Sequence, residues 1–177
     1  MTRRVLITTS PFGEGDPKAL RLLEEEGIAY TLNPFGRRLR EQELADFIEP
    51  YEVVIAGTEP ITEAVLDRAP HLRLIAHTGI GLDNIPLAAT RRHGITVTYT
   101  PSAPSPAVAE FTIGQMLALL RHTVSADRGM RQRLWQRRIG RRLGGLTVGV
   151  VGVGRVGRLV IRHLQAFNPV RILANDL

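Results

Sequence analysis

Three glycines near the end of the chain have the spacing of a phosphate-binding turn. Gly152, Gly154 and Gly157 follow the apolar run Leu146–Val151 and precede an amphipathic segment. This order predicts a buried strand, a tight turn and a helix whose free N-terminal amides suit a pyrophosphate. Asp176 follows the last glycine by nineteen positions, where a second strand would deliver an acid to a ribose. The sequence therefore predicts a dinucleotide site, and the carboxylate favours NAD because it would repel the 2′-phosphate of NADP.

A second glycine motif, Gly79-Ile80-Gly81, follows the strand-like segment 72–76. Open α/β sheets bind ligands at the carboxyl ends of their strands. Two glycines in three residues can turn successive backbone amides to one side and form a small anion site. A purely structural loop is the alternative interpretation of this motif.

These motifs need a framework of strands and helices to position them. The first hundred residues alternate between strand-like segments (4–9, 28–32, 53–56, 72–76 and 95–97) and helical ones (17–26, 41–48, 63–69 and 86–92). Such alternation is typical of an α/β fold with a parallel sheet covered on both faces. The proline-rich segment 100–106 then predicts a boundary between a domain over 1–100 and a second one over 101–177.

The second part begins with helix 107–121, which is apolar nearly all round and is expected to be buried. The arginine-rich stretch 125–142 predicts a second helix and a loose arm. Nucleic-acid binding would need aromatic side chains among these arginines, and only Trp135 is present, so a solvated or partner-facing helix is favoured. The strand 146–151 is expected to be buried on both faces, with a helix up to Asn168 and a strand over 171–174 after it.

Composition excludes several classes of protein. The chain has 177 residues, a formal net charge of +6 and 44% hydrophobic residues, and its positive charge is almost entirely arginine. The absence of cysteine excludes disulfides, thiolate metal sites and cysteine nucleophiles. No apolar run is long enough for a membrane span, and the segment 1–9 lacks the apolar core of a signal peptide. We expect a soluble cytoplasmic protein with no metal site.

Several motifs together resemble the D-isomer-specific 2-hydroxyacid dehydrogenases. The resemblance rests on the segments Ala76–Ile85, Val108-Ala109-Glu110, Trp135 and Gly145–Gly157. Within that family, the segment Gly57–Thr62 is most similar to the phosphoglycerate-dehydrogenase-like branch. The resemblance runs through essentially the whole chain in family order.

The resemblance implies a flavodoxin-like substrate domain, followed by the first strand–helix–strand unit of a Rossmann NAD-binding domain that is truncated. It implies roles for individual residues on both sides of the active-site cleft. Substrate-binding residues would be Gly57, Thr58, His77, Gly79, Ile80 and Gly81. Cofactor-binding residues would be Ile80, Val108, Gly152, Gly154, Arg155, Val156, Gly157 and Asp176. His77 stands where relatives often carry Arg or Ser, so it is a candidate specificity residue, with loop packing as the alternative.

The resemblance also implies what this chain lacks. In the family an Arg polarises the carbonyl and a carboxylate-supported His transfers the proton, and these residues would follow position 177. We therefore expect no catalytic residue within the chain and no activity from it alone. The basic segment 121–142 corresponds to the family's dimerisation arm and predicts a homodimer, with a small 2-hydroxy or 2-oxo acid as the substrate. The alternative is a non-catalytic, NAD(H)-sensing or corepressor-like protein.

Overall fold

The computed structural model describes residues Arg4 to Leu177 and divides into two compact units. The first unit ends at Pro101, and the second runs from Ser102 to Leu177. Met1 to Arg3, the first residues of the segment predicted not to be a signal peptide, lie outside the described residues.

The first unit is a five-stranded parallel sheet with connecting helices. In chain order its elements are β1 (Arg4–Ile7), α1 (Lys18–Glu25), β2 (Ala29–Leu32), α2 (Glu41–Phe47), β3 (Val53–Ala56), α3 (Glu63–Asp67), β4 (Leu74–His77), α4 (Leu87–Arg92) and β5 (Thr96–Thr98). The strand order is β2-β1-β3-β4-β5, and every pairing is parallel. This is the flavodoxin-like order, and it confirms the predicted fold class for this part of the chain.

One face of this sheet carries the main apolar core. Leu6, Val54 and Ile75 point to the same side and pack against α2, α3 and α4. The alternating burial along β3 and β4 follows from the two-residue period of a strand. The opposite face is less covered, because α1 buries none of its residues and its Leu22 is exposed. The predicted apolar face of α1 is therefore only half-buried.

The second unit contains three α-helices and two parallel strands. Its elements are α5 (Ser105–Leu120), α6 (Thr123–Arg131), a short 3₁₀ turn (Leu143–Gly145), β6 (Thr147–Val151), α7 (Arg155–Gln165) and β7 (Arg171–Asn175). β6 pairs with β7 in parallel, from Thr147 opposite Arg171 to Val151 opposite Asn175. A small apolar core joins α5, β6 and α7, and its buried members are Ala109, Ile113, Leu143, Val148, Val160 and Leu164.

Two burial predictions for the second unit are wrong. Helix α5 is not buried all round, since Phe111 is 66% and Leu119 is 77% exposed. Strand β6 is not buried on both faces, since Val148 is its only buried residue and Val151 is 87% exposed. The physical reason is the same for both elements: within the part of the chain that the structure describes, this unit covers each of them from one side.

Candidate functional site

The predicted substrate-binding loops lie side by side at the carboxyl edge of the first sheet. Gly57 and Thr58 follow β3, and the Gly79–Gly81 loop follows its neighbour β4. Asn84 joins the two loops, because its side-chain Nδ2 donates to the carbonyl oxygens of Gly57 at 3.0 Å and Glu59 at 2.7 Å. The structure therefore brings together residues that are more than twenty positions apart in the sequence.

A buried carboxylate lies beneath these loops and was not among the predicted site residues. Glu59 is 1% exposed, and its Oε1 accepts hydrogen bonds from the Gly57 amide at 2.9 Å and from the Thr8 hydroxyl. Gly57 has no room for a side chain, since a Cβ there would lie 2.5 Å from Thr9 Oγ1. Glu59 thus ties the turn after β3 to the end of β1. Glu59 belongs to the segment Gly57–Thr62 that resembles the family. Its contact with Thr8 joins the ends of two strands, so that segment alone does not reveal it.

His77 is the last residue of β4 and is 5% exposed. Its Nε2 packs against Gly79, where a Cβ would come within 2.6 Å of it, and its buried Nδ1 has no hydrogen-bond partner. The predicted strand 72–76 stops before His77, whereas β4 includes this residue. The packing against Gly79 favours the interpretation that His77 packs against the loop. Because Nδ1 has no partner, a contact between His77 and the substrate stays a prediction.

The loop after β4 is anchored at one end and open at the other. Gly79 O accepts hydrogen bonds from the backbone amide of Thr100 at 2.9 Å and from its hydroxyl at 3.2 Å. Ile80 is 39% exposed, and Gly81 is exposed beside the carboxylate of Asp83. Because Asp83 is negative, an acidic ligand at this loop would depend on backbone amides and on cations from other loops.

The glycine turn of the second unit has the geometry that its spacing predicted. Gly152 adopts a φ of +90°, which disfavours any residue with a side chain. A Cβ on Gly157 would collide with the carbonyl oxygen of Gly152, so helix α7 can approach the turn only with glycine there. Gly154, the residue before α7, has open space on its Cβ side. This open side leaves room for a ligand to approach the backbone.

Charge at the start of α7 suits an anion. No side chain caps this helix, no acid lies in its first turn, and Arg155 is its exposed first residue. Arg158, which the sequence analysis did not single out, donates from Nε to the Val153 carbonyl at 3.0 Å and braces the turn. Uncapped amides, the positive end of the helix dipole and two arginines therefore fit the pyrophosphate of a dinucleotide.

The other predicted cofactor residues are partly assembled around this turn. The Gly152 amide donates to Asn175 O at 2.8 Å, so the exposed Asp176 follows β7 directly beside the turn. Val156 packs against the small apolar core from the first turn of α7. Val108 lies on α5, is 44% exposed and is outside that core. Ile80 belongs to the first unit, and its predicted contact with the cofactor stays a prediction.

Residues 4–177 hold no group of three or more histidine or acidic side chains placed to bind a metal ion. None of the helices described there has the length and apolarity to cross a membrane. One histidine–carboxylate pair is present among these residues: His93 Nε2 lies 3.3 Å from Asp67 Oδ1. This pair lies at the amino edge of the sheet, opposite the glycine loop.

Together, the flavodoxin-like sheet and the glycine turn between β6 and α7 define an α/β protein with the start of a dinucleotide-binding unit. Residues 5–171 match the sequence model of the D-isomer specific 2-hydroxyacid dehydrogenase, catalytic domain. The chain belongs to this family, as its motifs predicted. Members of the family act on 2-hydroxy and 2-oxo acids and use NAD.

Individual relatives agree with this assignment. The chain is 34% identical over 92% of its length to D-3-phosphoglycerate dehydrogenase of Methanocaldococcus jannaschii, and 35% identical over 91% to hydroxypyruvate reductase of Thermotoga maritima. It covers 30% and 52% of those proteins. Among solved structures, the TT0316 protein from Thermus thermophilus superimposes with a TM-score of 0.86 at 35% identity, over 98% of this chain and 56% of that one. The chain thus spans about half or less of the length of these relatives.

Proposed function

We propose that this chain supplies the substrate-carboxylate loops and the first half of the NAD site of a 2-hydroxyacid dehydrogenase. The complete enzyme would interconvert a 2-hydroxy acid and a 2-oxo acid by hydride transfer to or from NAD. The observation that carries this proposal is the glycine turn, with its uncapped helix and with Asp176 directly after the adjacent strand β7. The anchored Gly79–Gly81 loop supports it, because it lies at the ligand-binding edge of the first sheet.

We further propose that the 177 residues alone do not catalyse this reaction. Proton transfer to the alkoxide needs an acid, usually a histidine oriented by a carboxylate. In residues 4–177 the histidine–carboxylate pair is His93 with Asp67, and it lies at the edge opposite the substrate loops. This observation also favours a second candidate function for the chain by itself, a non-catalytic NAD(H)-binding role.

Titration of the ¹⁵N-labelled chain with NADH tests the cofactor proposal. We expect amide shifts confined to the turn 152–157 and to Asp176, with weak affinity because the site is incomplete. NADPH should cause smaller shifts, since its 2′-phosphate meets the Asp176 carboxylate, and Asp176→Asn should reduce this difference. Asp127→Asn, which removes an exposed acid from α6, is the matched control. Shifts at the predicted cofactor residues Val108 and Ile80 would extend the site, whereas shifts confined to other parts of the chain, or none at all, would contradict the proposal.

Two finer points belong to the same proposal. The exposed apolar side chains of α5, α6 and the following arm, Trp135 among them, support a homodimer formed through this region. A role in NAD-linked metabolism of small acids supports the cytoplasm as the compartment.

An assay of NADH oxidation with several 2-oxo acids distinguishes the two candidate functions: turnover by the pure chain would contradict its proposed inactivity.

A further inference from the structure

Arg38, an arginine with no role predicted from the sequence, lies against a predicted substrate loop. Arg38 is exposed, and its Nε donates to the carbonyl oxygen of Thr58 at 2.9 Å. The two residues are twenty positions apart, and they meet because the loops after β2 and β3 both lie at the carboxyl edge of the sheet. The contact uses one of the five N–H donors of a guanidinium, so the terminal nitrogens keep their donors for other partners.

The loop that carries Arg38 is firmly built. Asn33 Nδ2 donates to Thr8 O and to Arg37 O, both at 2.8 Å, and Asn33 Oδ1 accepts from the Phe35 amide at 2.9 Å. These bonds hold the chain after β2 against the end of β1. Arg38 is therefore presented by a braced loop rather than by a free surface segment.

The neighbouring Arg37 already pairs with a carboxylate, whereas Arg38 does not. Arg37 forms a two-pronged contact with Glu43, at 2.9 Å from Nη1 and 2.6 Å from Nη2, and stacks over the ring of Phe35. Within the described residues 4–177, no carboxylate lies within 4 Å of the Arg38 guanidinium. Arg38 thus brings uncompensated positive charge to the Thr58 loop.

This charge lies one loop away from the Gly79–Gly81 motif. Strands β3 and β4 are adjacent, so their ends are separated by about one strand spacing, roughly 5 Å. Asn84 links the two loops, and the Asp83 carboxylate lies beside Gly81. An acid whose carboxylate binds at Gly79–Gly81 would meet positive charge only in the direction of Thr58 among these three loops.

We propose that Arg38 is a specificity-determining residue, whose guanidinium binds a second acidic group on a 2-hydroxy or 2-oxo acid substrate. The inference rests on the proposed function, because it needs the first carboxylate at the glycine loop. The second group is a carboxylate or a phosphate, since a guanidinium pairs with either. Substrates with one acidic group would bind at the same loop but without this contact.

The test compares three 2-hydroxy acids by amide-shift titration of the ¹⁵N-labelled chain. D-lactate has one acidic group, D-malate has a second carboxylate, and D-3-phosphoglycerate has a phosphate. We expect the acids with a second group to bind about three- to fivefold more tightly than D-lactate, the range of an exposed charge pair. Arg38→Gln should abolish this advantage, and Arg38→Lys should keep part of it. Arg21→Gln, an equal charge change on α1, should leave it intact.

Each outcome decides between the proposals. A gain for both larger acids supports recognition of charge in general, and a gain for the phosphate alone assigns the second group as phosphate. Equal affinity of all three acids, or an advantage that survives Arg38→Gln, would overturn the inference and leave the proposed function standing. If no acid shifts the Ile80 and Gly81 amides, the carboxylate loop is wrong and both proposals fail. Thermal unfolding of each variant confirms that it is folded.

Discussion

At the scale of single residues, the buried carboxylate of Glu59 joins the predicted substrate loop after β3 to the end of β1. It accepts the Gly57 amide and the Thr8 hydroxyl, while its own backbone carbonyl accepts from Asn84. Three segments that are distant in the sequence therefore meet at one residue. Buried polar groups are costly when they lose a partner, so this residue is expected to matter for stability as well as for loop geometry.

Glu59→Ala is expected to lower the free energy of unfolding by about 1 to 3 kcal/mol, because the Gly57 amide loses its buried acceptor, whereas the Thr8 hydroxyl can still donate to Ile55 O. Urea denaturation followed by circular dichroism measures this loss. Glu49→Ala, at an exposed position just after α2, is the control and should change stability little. A loss as small as that of the control would show that the network contributes nothing.

The contact between Arg37 and Glu43 predicts a pH dependence. The hydrogen bonds from the Arg37 side chain and then from the Arg40 amide lower the pKa of Glu43 from 4.5 to about 2. A lowered carboxyl pKa stabilises the fold above the unfolded-state value and ceases to do so as pH falls through the folded-state value. Glu43→Gln should thus be less stable than wild type above pH 4.5, and the difference should vanish towards pH 2.

Acid titration of unfolding for wild type and Glu43→Gln measures this dependence, with Glu49→Gln as the control. Because the pair is exposed to solvent, the difference should also shrink in high salt. A stability difference that stays constant from neutral pH down to about pH 2 would contradict the assigned cause.

At the scale of elements, the turn between β6 and α7 separates two kinds of glycine. Gly157 is required by packing, because a Cβ would collide with the carbonyl of Gly152. Gly154 has open space and an extended backbone that any residue adopts, so packing does not explain it. Its position before an uncapped helix agrees with the proposed approach of a dinucleotide to the backbone.

This difference predicts that alanine mainly affects stability at Gly157 and mainly affects NADH binding at Gly154. Gly157→Ala should destabilise the second unit by about 1 to 3 kcal/mol through overpacking between helix and strand. Gly154→Ala should cost about 1 kcal/mol, the usual loss when alanine replaces a favoured N-cap residue, and it should also weaken NADH binding. Thermal unfolding and NADH titration of both variants measure the two effects, and Gly149→Ala, in open space on β6, is the packing control.

At the scale of the whole molecule, the second unit leaves much apolar surface exposed. The exposed apolar residues of α5, α6 and the following arm include Leu119, Val124, Met130, Leu134, Trp135 and Ile139. Large exposed apolar patches mark interaction sites or aggregation. Lone aromatic anchors such as Trp135, which is 82% exposed, often dominate the affinity of an interface.

The homodimer proposal therefore makes a measurable prediction. Sedimentation should show a dimer that dissociates on dilution, with blue-shifted fluorescence of the chain's single tryptophan in the dimer. Trp135→Ala should weaken dimerisation by at least about tenfold, in the range of an interface hot spot. Leu22→Ala, at an exposed position on α1, should not. A monomer at all concentrations, or association that ignores Trp135, would contradict this interface.

The sequence by itself determined the order of elements, the parallel α/β class and the spacing of the glycine turn, and the flavodoxin-like class followed from the family resemblance. The first three features depend on local signals: the period of apolar residues, the positions of prolines, and glycines at fixed offsets. The family motifs are likewise contiguous in the chain. For this reason, the residues of the turn and Asp176 can all be predicted from the sequence.

Only the tertiary structure decided which side chains meet and which faces are covered. The Glu59 network, the contact of Arg38 with Thr58 and the pair of His93 with Asp67 join residues from different strands and helices. Their meeting depends on how the strands and helices pack together, which no local pattern in the sequence reports. For the same reason, the apolar composition of α5 and β6 predicted burial that the structure does not show. Burial depends on which neighbouring elements pack against a segment, and that is a property of the assembled fold.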